Sequence, residues 1–193
     1  MPDVFIMQKD KTIFLIDGGY LSFVSKFFGG GKHLKFKIER FAENICKRNG
    51  FKCEEIYFYT APPYQSPNPT TEENKRKANY DKFTGMLKKI KEIKIHVREG
   101  RCQKIKNDFS QKGVDTLITM DLLKSSQDKY VKNIIILTAD TDFVPIIKDI
   151  RDGKNLILAY FTDKKRKSAF TLSNHLWDVF KKKILVEFDD FKN

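Results

Sequence analysis

Cysteine and histidine are scarce in this chain, and their scarcity excludes whole classes of chemistry. The 193 residues hold three cysteines, Cys46, Cys53 and Cys102, an odd count with no C-x-x-C pair. A disulfide framework is therefore not expected, and free thiols in a reducing, cytoplasmic compartment are. The three histidines, His33, His96 and His175, stand far apart in sequence, so no cysteine–histidine zinc pattern exists. No stretch reaches the roughly 18 uninterrupted apolar residues of a membrane-spanning helix. The opening residues Met1 to Lys11 lack a basic segment followed by a long apolar run, so no signal peptide is expected. There is no internal repeat and no low-complexity tail.

What the chain does have is charge and phenylalanine. Hydrophobic residues make up 40% and charged residues 32%, with 17 Phe, enough for a Phe/Ile/Leu core under a heavily solvated surface. The length suits one domain. A net charge of +12 suggests a polyanionic partner, nucleic acid before an acidic membrane surface. The competing reading is a general enrichment in lysine, so a site must decide between them.

Four apolar runs read as buried strands: Thr12 to Ile16, Ile56 to Tyr59, Ile134 to Leu137 and Leu156 to Tyr160. Helical periodicity separates them. Residues 36–48 place Ile38, Phe41, Ala42, Ile45 and Cys46 on one face, and Gly50 stops the pattern. Residues 73–91 read as a helix with Tyr80, Phe83, Met86, Leu87 and Ile90 inward. Residues 114–130 read as another, with Leu117, Ile118, Met120 and Leu122 apolar. Phe143 to Arg151 reads as a short helix closed by Gly153. Residues 93–97 and 101–106 around Glu99-Gly100 suggest an edge strand and a hairpin partner, and 184–188 a late edge strand. Pro62 to Thr71, with four of the six prolines, reads as an exposed extended loop near the sheet's rim. Alternating strands and helices predict an α/β fold with a mostly parallel central sheet and helices on both faces. Ligands of such sheets bind at the carboxyl ends of strands.

Asp17 and Asp140 each follow an apolar run, at that carboxyl-end rim. With Asp115 and Asp142 they form the candidate site, and Asp121 is a weaker member. Phosphodiester hydrolysis needs an activated water and a stabilised leaving oxygen, and a divalent ion supplies both. An all-aspartate set suits a hard cation, Mg2+ or Mn2+, rather than zinc. Each acid has a plainer reading. Asp17 would be a turn former. Asp140 or Thr141 would cap the following helix. Asp115 would serve the helix dipole. Asp121, six residues on and on another helix face, would be second to the metal or solvated. If residues 140–142 are extended, Asp140 and Asp142 point the same way and can share one ion.

Three segments carry a resemblance: Ile13-Phe14-Leu15-Ile16-Asp17-Gly18, Lys112-Gly113-Val114-Asp115 with Asp121 following, and Leu137 to Pro145 through Thr138-Ala139-Asp140-Thr141-Asp142. The chain resembles the NYN family, with its PIN/FLAP-like nuclease fold, and within it the LabA-like (DUF88) branch. The likeness runs from about Thr12 to about Tyr160. It implies a three-layer PIN-like (Rossmannoid) domain, here residues 12–190 after an N-terminal extension of 1–11. It also implies a metal-dependent ribonuclease whose acidic positions match Asp17, Asp115, Asp140 and Asp142. Asp121 matches a further acid of the LabA-like branch. One position departs: where the family often has asparagine three residues after the first aspartate, this chain has Tyr20, and a polar ligand is lost.

Basic residues flank the acids. Arg98, Arg101, Lys104 and Lys106 lead to Lys112. Lys164, Lys165, Arg166 and Lys167 follow the fourth strand, and Lys75-Arg76-Lys77 follows the proline loop. Arg101, Lys104, Lys112, Lys164, Lys165 and Arg166 are the candidate phosphate contacts. Tyr64, Tyr80 and Phe161 are candidate base-stacking residues. Solvated surface and core packing are the plainer readings of these. The expected function is a Mg2+- or Mn2+-dependent ribonuclease, endonucleolytic, acting on single-stranded RNA in preference to DNA; a homo-oligomer is compatible with it. The alternative is a non-catalytic nucleic-acid- or protein-binding module that keeps the fold. Asp140-Thr141-Asp142 also has the D-x-D form of some nucleotide-sugar transferases, but that reading leaves the basic surface unexplained. Dehalogenase-type phosphatases and receiver domains need acid patterns at the first strand that Asp17-Gly18-Gly19 does not provide.

Overall fold

The computed structural model describes residues 10–105, 108–162 and 173–193. Its frame is a six-stranded sheet in the order β3-β2-β1-β6-β7-β8. The strands are β1 (Lys11–Asp17), β2 (Cys53–Thr60), β3 (Lys94–Glu99), β6 (Val131–Leu137), β7 (Asn155–Tyr160) and β8 (Lys182–Leu185). All five pairings in this sheet are parallel. Strands β4 (Arg101–Ile105) and β5 (Asp108–Lys112) form a separate antiparallel ribbon.

Alternation along β1 divides the core. Phe14 and Ile16 join the layer beneath helices α1 (Gly18–Phe28) and α2 (Ile38–Arg48), where Leu87 of α3 (Thr71–Leu87) also packs. Ile13 and Leu15 join the opposite layer, under α4 (Val114–Gln127), α5 (Val144–Ile150) and α6 (Asn174–Val179). The result is the three-layer, PIN-like α/β fold that the sequence predicts. Helix α2 buries the five expected residues at i, i+3, i+4, i+7 and i+8. Each fully buried Phe or Ile among them contributes about 1.5–3 kcal/mol. Among the described residues, no helix is long and apolar enough to cross a membrane. All three cysteines are free thiols.

Several local expectations change. Helix α1 begins directly at Gly18-Gly19, which the sequence suggests as a turn; Asp17 caps it, and packing on the sheet outweighs poor glycine propensity. Gly18 is needed there, because a Cβ would stand 2.6 Å from the Tyr59 carbonyl oxygen. Helix α3 starts with a Thr70–Glu73 capping box and ends at Leu87 rather than Lys91. Met86 is 54% exposed, since the inward stripe runs through Tyr80, Phe83, Thr84 and Leu87 and leaves position 86 about 100° away. Met120 is likewise exposed, because α4 turns Val114, Ile118, Asp121, Leu122 and Ser125 inward. Residues 101–105 pair with β5 and not with β3, whose one partner among the described residues is the parallel neighbour β2. The late edge strand spans Lys182–Leu185, and Phe188 lies beyond it in a 3-10 turn. Helix α6 carries no clear periodic signal in its six residues.

Candidate active site

Strand order reverses between β1 and β6: the chain moves outward from β1 to β3, then returns to the other side of β1. Parallel sheets open a crevice at the carboxyl ends of the two strands at such a switch point. Asp17 is the last residue of β1, and Asp140 lies three residues beyond β6. Asp115 enters from α4. The left-handed conformation of Gly113 (φ 82°) bends the ribbon into that helix and sets Asp115 in its first turn. The three acids line one cavity of about 530 Å3, with Tyr20, Gln111 and Ser173 in its wall.

Asp17 Oδ1 accepts the backbone N–H groups of Gly19 at 2.9 Å and Tyr20 at 3.2 Å. Asp140 Oδ1 accepts the N–H of Asp142 at 2.9 Å. Asp140 caps the 3-10 turn, and Asp17, expected as a turn former, caps α1; each uses a single carboxylate oxygen. The other oxygen of each receives no hydrogen bond from the described residues, and no described cation pairs with Asp17, Asp115, Asp140 or Asp142. Burial pushes the Asp17 carboxyl above its ordinary range; the two N–H donors hold it back, and Asp115 and Asp140 raise it further. The Asp115 carboxyl is also raised, by desolvation and then by Asp140 and Asp142. Mutual repulsion of this kind is what an unpaired carboxylate set experiences.

Hard oxygen donors, free second oxygens and uncompensated negative charge fit a hard divalent cation. Among the described residues, no three Asp, Glu, His or Cys side chains are drawn together to ligand distance. Asp17, Asp115 and Asp140 therefore surround a space rather than a preformed cage, as carboxylates that repel one another do.

Asp142 sits in the 3-10 turn Thr141–Phe143, so the extended i, i+2 geometry does not occur; it is exposed and outside the cavity wall, though close enough to be felt by Asp115. Asp121 departs furthest from expectation. It is 5% exposed, neither solvated nor on the cavity. Its carboxylate accepts Arg98 Nε at 2.8 Å, Arg98 Nη2 at 3.1 Å and the Tyr59 hydroxyl at 3.1 Å. This bidentate pair joins α4 to β2 and β3 and occupies Arg98, one of the basic residues that lead to Lys112. The sequence signal was present: Asp121 falls on the inward stripe of α4, where only a paired acid is tolerated.

Tyr20, at the position where the resemblance expects asparagine, is 2% exposed, and its hydroxyl accepts the Phe161 N–H at 3.1 Å. Burial pushes its pKa up to about 12; the Phe161 N–H works against this and Asp17 adds to it. The ring thus fastens the end of β7 to α1. Phe161 is 3% exposed among Phe23, Phe27 and Phe28 and is no stacking platform. Tyr80 donates to Glu99 Oε1 at 2.9 Å and braces α3 on β3. Lys77 of the run after the proline loop is paired with Asp81.

Arg101 and Lys112 face each other across the base of the ribbon, beside the acid cavity, in an adjoining hollow of about 440 Å3. Lys104 lies three residues beyond Arg101, on the ribbon's other face, and is exposed. Lys106 and the run Lys164, Lys165, Arg166 and Lys167 lie outside the described residues. Another hollow, about 450 Å3, opens at the amino ends of β6 and β7 and is lined by Lys132, Arg151, Lys154, Lys181 and Lys182, with Asp152 its one acid. It has no carboxylate set to hold a cation.

The fold has a solved counterpart. A protein of unknown function from Vibrio parahaemolyticus superposes with a TM-score of 0.59 at 18% identity, covering 96% of this chain and 97% of that one. Comparison with curated proteins gives no match. The family model of the NYN domain matches residues 11–175, from the first residue of β1 into α6, and includes every acid of the cavity. The chain belongs to the NYN domain family, a family of PIN-like nucleases.

Proposed function

We propose that this protein is a metal-dependent ribonuclease that cleaves single-stranded RNA endonucleolytically, using Mg2+ or Mn2+ at the switch-point cavity. One observation carries the reading: Asp17, Asp115 and Asp140, from three different elements, line a single cavity with no counter-cation among the described residues. A divalent ion bound there would supply an activated water and stabilise the leaving oxygen. Asp17 and Asp140 would hold it, and Asp115 would complete the set from α4. Asp142, at the rim, orients water. Arg101 and Lys112 neutralise phosphates that approach the acids.

Cleavage of a labelled single-stranded RNA with manganese, by wild type, D17N and D140N, tests this. Wild type cleaves, and both variants lose at least about a hundredfold, in the range of one lost electrostatic contact to the transition state. Equal rates in wild type and D140N would refute the assignment. The same assay with DNA of matching sequence decides the preference for RNA.

A non-catalytic binding module is the second reading. Tyr20 favours it, because it stands where the family often has asparagine and its hydroxyl is engaged by the Phe161 N–H. RNA binding that survives chelation, with no product under any divalent metal, would establish it in place of the nuclease.

A further inference from the structure

The β4–β5 ribbon leaves the acid cavity with an ordered face that neither the core nor the carboxylates use. Its register pairs Cys102 with Gln111 and Lys104 with Phe109. Residues directly opposite, and residues two apart on one strand, share a face of a ribbon. Gln111 is part of the cavity wall. Phe109 and Lys104 therefore continue that same face outward, about 7 Å from Gln111 along the strand.

The chemistry of this face is unusual for a solvated arm. Phe109 is 56% exposed, yet it is held in place: the Tyr64 ring from the proline loop lies 5.6 Å from it, centroid to centroid, tilted by 51°. Lys104 Nζ lies 5.8 Å from the Phe109 centroid. Arg101 and Lys112 face each other at the ribbon base, on the face opposite Phe109, in the hollow that Glu99 also lines. An exposed aromatic ring braced by a second ring, with a lysine beside it and the carboxylate cavity one step away on the same face, matches the sequence-tolerant stacking platforms of single-strand binders. A base still paired in a duplex cannot offer its face to such a ring.

We propose that Phe109, braced by Tyr64 and flanked by Lys104, is a nucleobase-stacking subsite that seats an unpaired base of a single strand beside the carboxylate cavity. This deepens the nuclease reading and rests on it for the identity of the ligand. Phe109 does not touch the reacting phosphate; it positions the strand.

The experiment uses the full chain in EDTA at fixed ionic strength, so that binding is read without turnover. Anisotropy titrations compare wild type, F109A, F109L and F109W with three fluorescent probes: a short single-stranded RNA, its abasic counterpart and its duplex. F109L keeps apolar packing against Tyr64 but has no stacking face, whereas F109W keeps both. The expected result is a loss of about tenfold or more in single-strand affinity for F109A and F109L, with F109W close to wild type. The abasic strand and the duplex should bind all four proteins alike, and the indole introduced by F109W should be quenched by the intact single strand only.

Manganese-dependent cleavage by the same proteins separates the two readings. Equal single-strand affinity for wild type, F109A and F109L, with wild type still cleaving, overturns the subsite and leaves the nuclease standing. Stacking-dependent binding with no cleavage under any metal supports the subsite and overturns the nuclease. Equal losses on the abasic strand would make Phe109 a folding residue of the ribbon and would also overturn the subsite.

Discussion

Replacing Arg98 by alanine strips a buried carboxylate of its only cation among the described residues. The Asp121 side chain is 6% exposed and that of Arg98 32%, so the pair is well shielded but not sealed. Removing one member of a buried pair costs about 3–5 kcal/mol, and the partial exposure of Arg98 places R98A near the lower end. For a chain of this length, each kcal/mol lowers the melting temperature by roughly 2–4 °C, so R98A should melt about 6–12 °C below wild type. D121N should fall by roughly half as much, because the amide oxygen still accepts from Tyr59 and the freed guanidinium can reach water. The double replacement R98M/D121L should recover only part of the loss: an apolar pair of similar volume can equal a buried ion pair, but the buried Tyr59 hydroxyl loses its acceptor.

Thermal melts of these proteins measure this directly, with R98A/D121N added to close the double-mutant cycle on R98A and D121N. Manganese-dependent turnover, assayed well below each melting point, should change only a few-fold in D121N. Melting points within about a degree of wild type, with a coupling energy near zero, would show that the pair does not hold α4 to the sheet. A D121N protein that melts normally but has lost metal-dependent cleavage would return Asp121 to the ion and refute the structural role assigned to it.

Two more outcomes can be checked by stability alone. The folded Asp115 carboxyl lies above its ordinary value of 3.8, so the metal-free fold holds that proton more tightly than the unfolded chain. The resulting stabilisation is full below the unfolded pKa and is lost as pH rises through the folded one. The melting temperature of D115N relative to wild type, in EDTA, should therefore climb from below pH 3.8 toward neutrality, and saturating manganese should reverse the trend. A difference independent of pH would contradict the raised carboxyl. Y20F removes the acceptor of the buried Phe161 N–H, a loss of about 1–3 kcal/mol, so it should lower the melting temperature by several degrees. The manganese concentration giving half-maximal cleavage should not move, because the hydroxyl serves β7 and not an ion.

The layers of this fold were legible in the chain because the signals that make them are local. Short continuous apolar runs rich in β-branched residues read as strands covered on both faces, and the period of α2 leaves one choice of buried side. Two of the cavity acids could be recognised for a related reason: an aspartate ending such a run, as Asp17 does, or standing three residues past one, as Asp140 does, lies at the rim where parallel strands end. Helix α1 was hidden because two glycines look like a turn until a capping carboxylate and a packed sheet are present together.

Sequence alone therefore determined the fold class and picked out the candidate acids at the strand ends, since both follow from residue type and spacing along one strand or helix. Only the tertiary structure decided which acids keep company. Asp115 and Asp121 lie six residues apart on one helix, yet one faces three like charges and the other an arginine. That division depends on which strands lie beneath α4, and strand order is a long-range property that no local period encodes. The same holds for Phe109, an ordinary residue in a short polar segment until the register of the ribbon aligns it with Gln111 and the cavity.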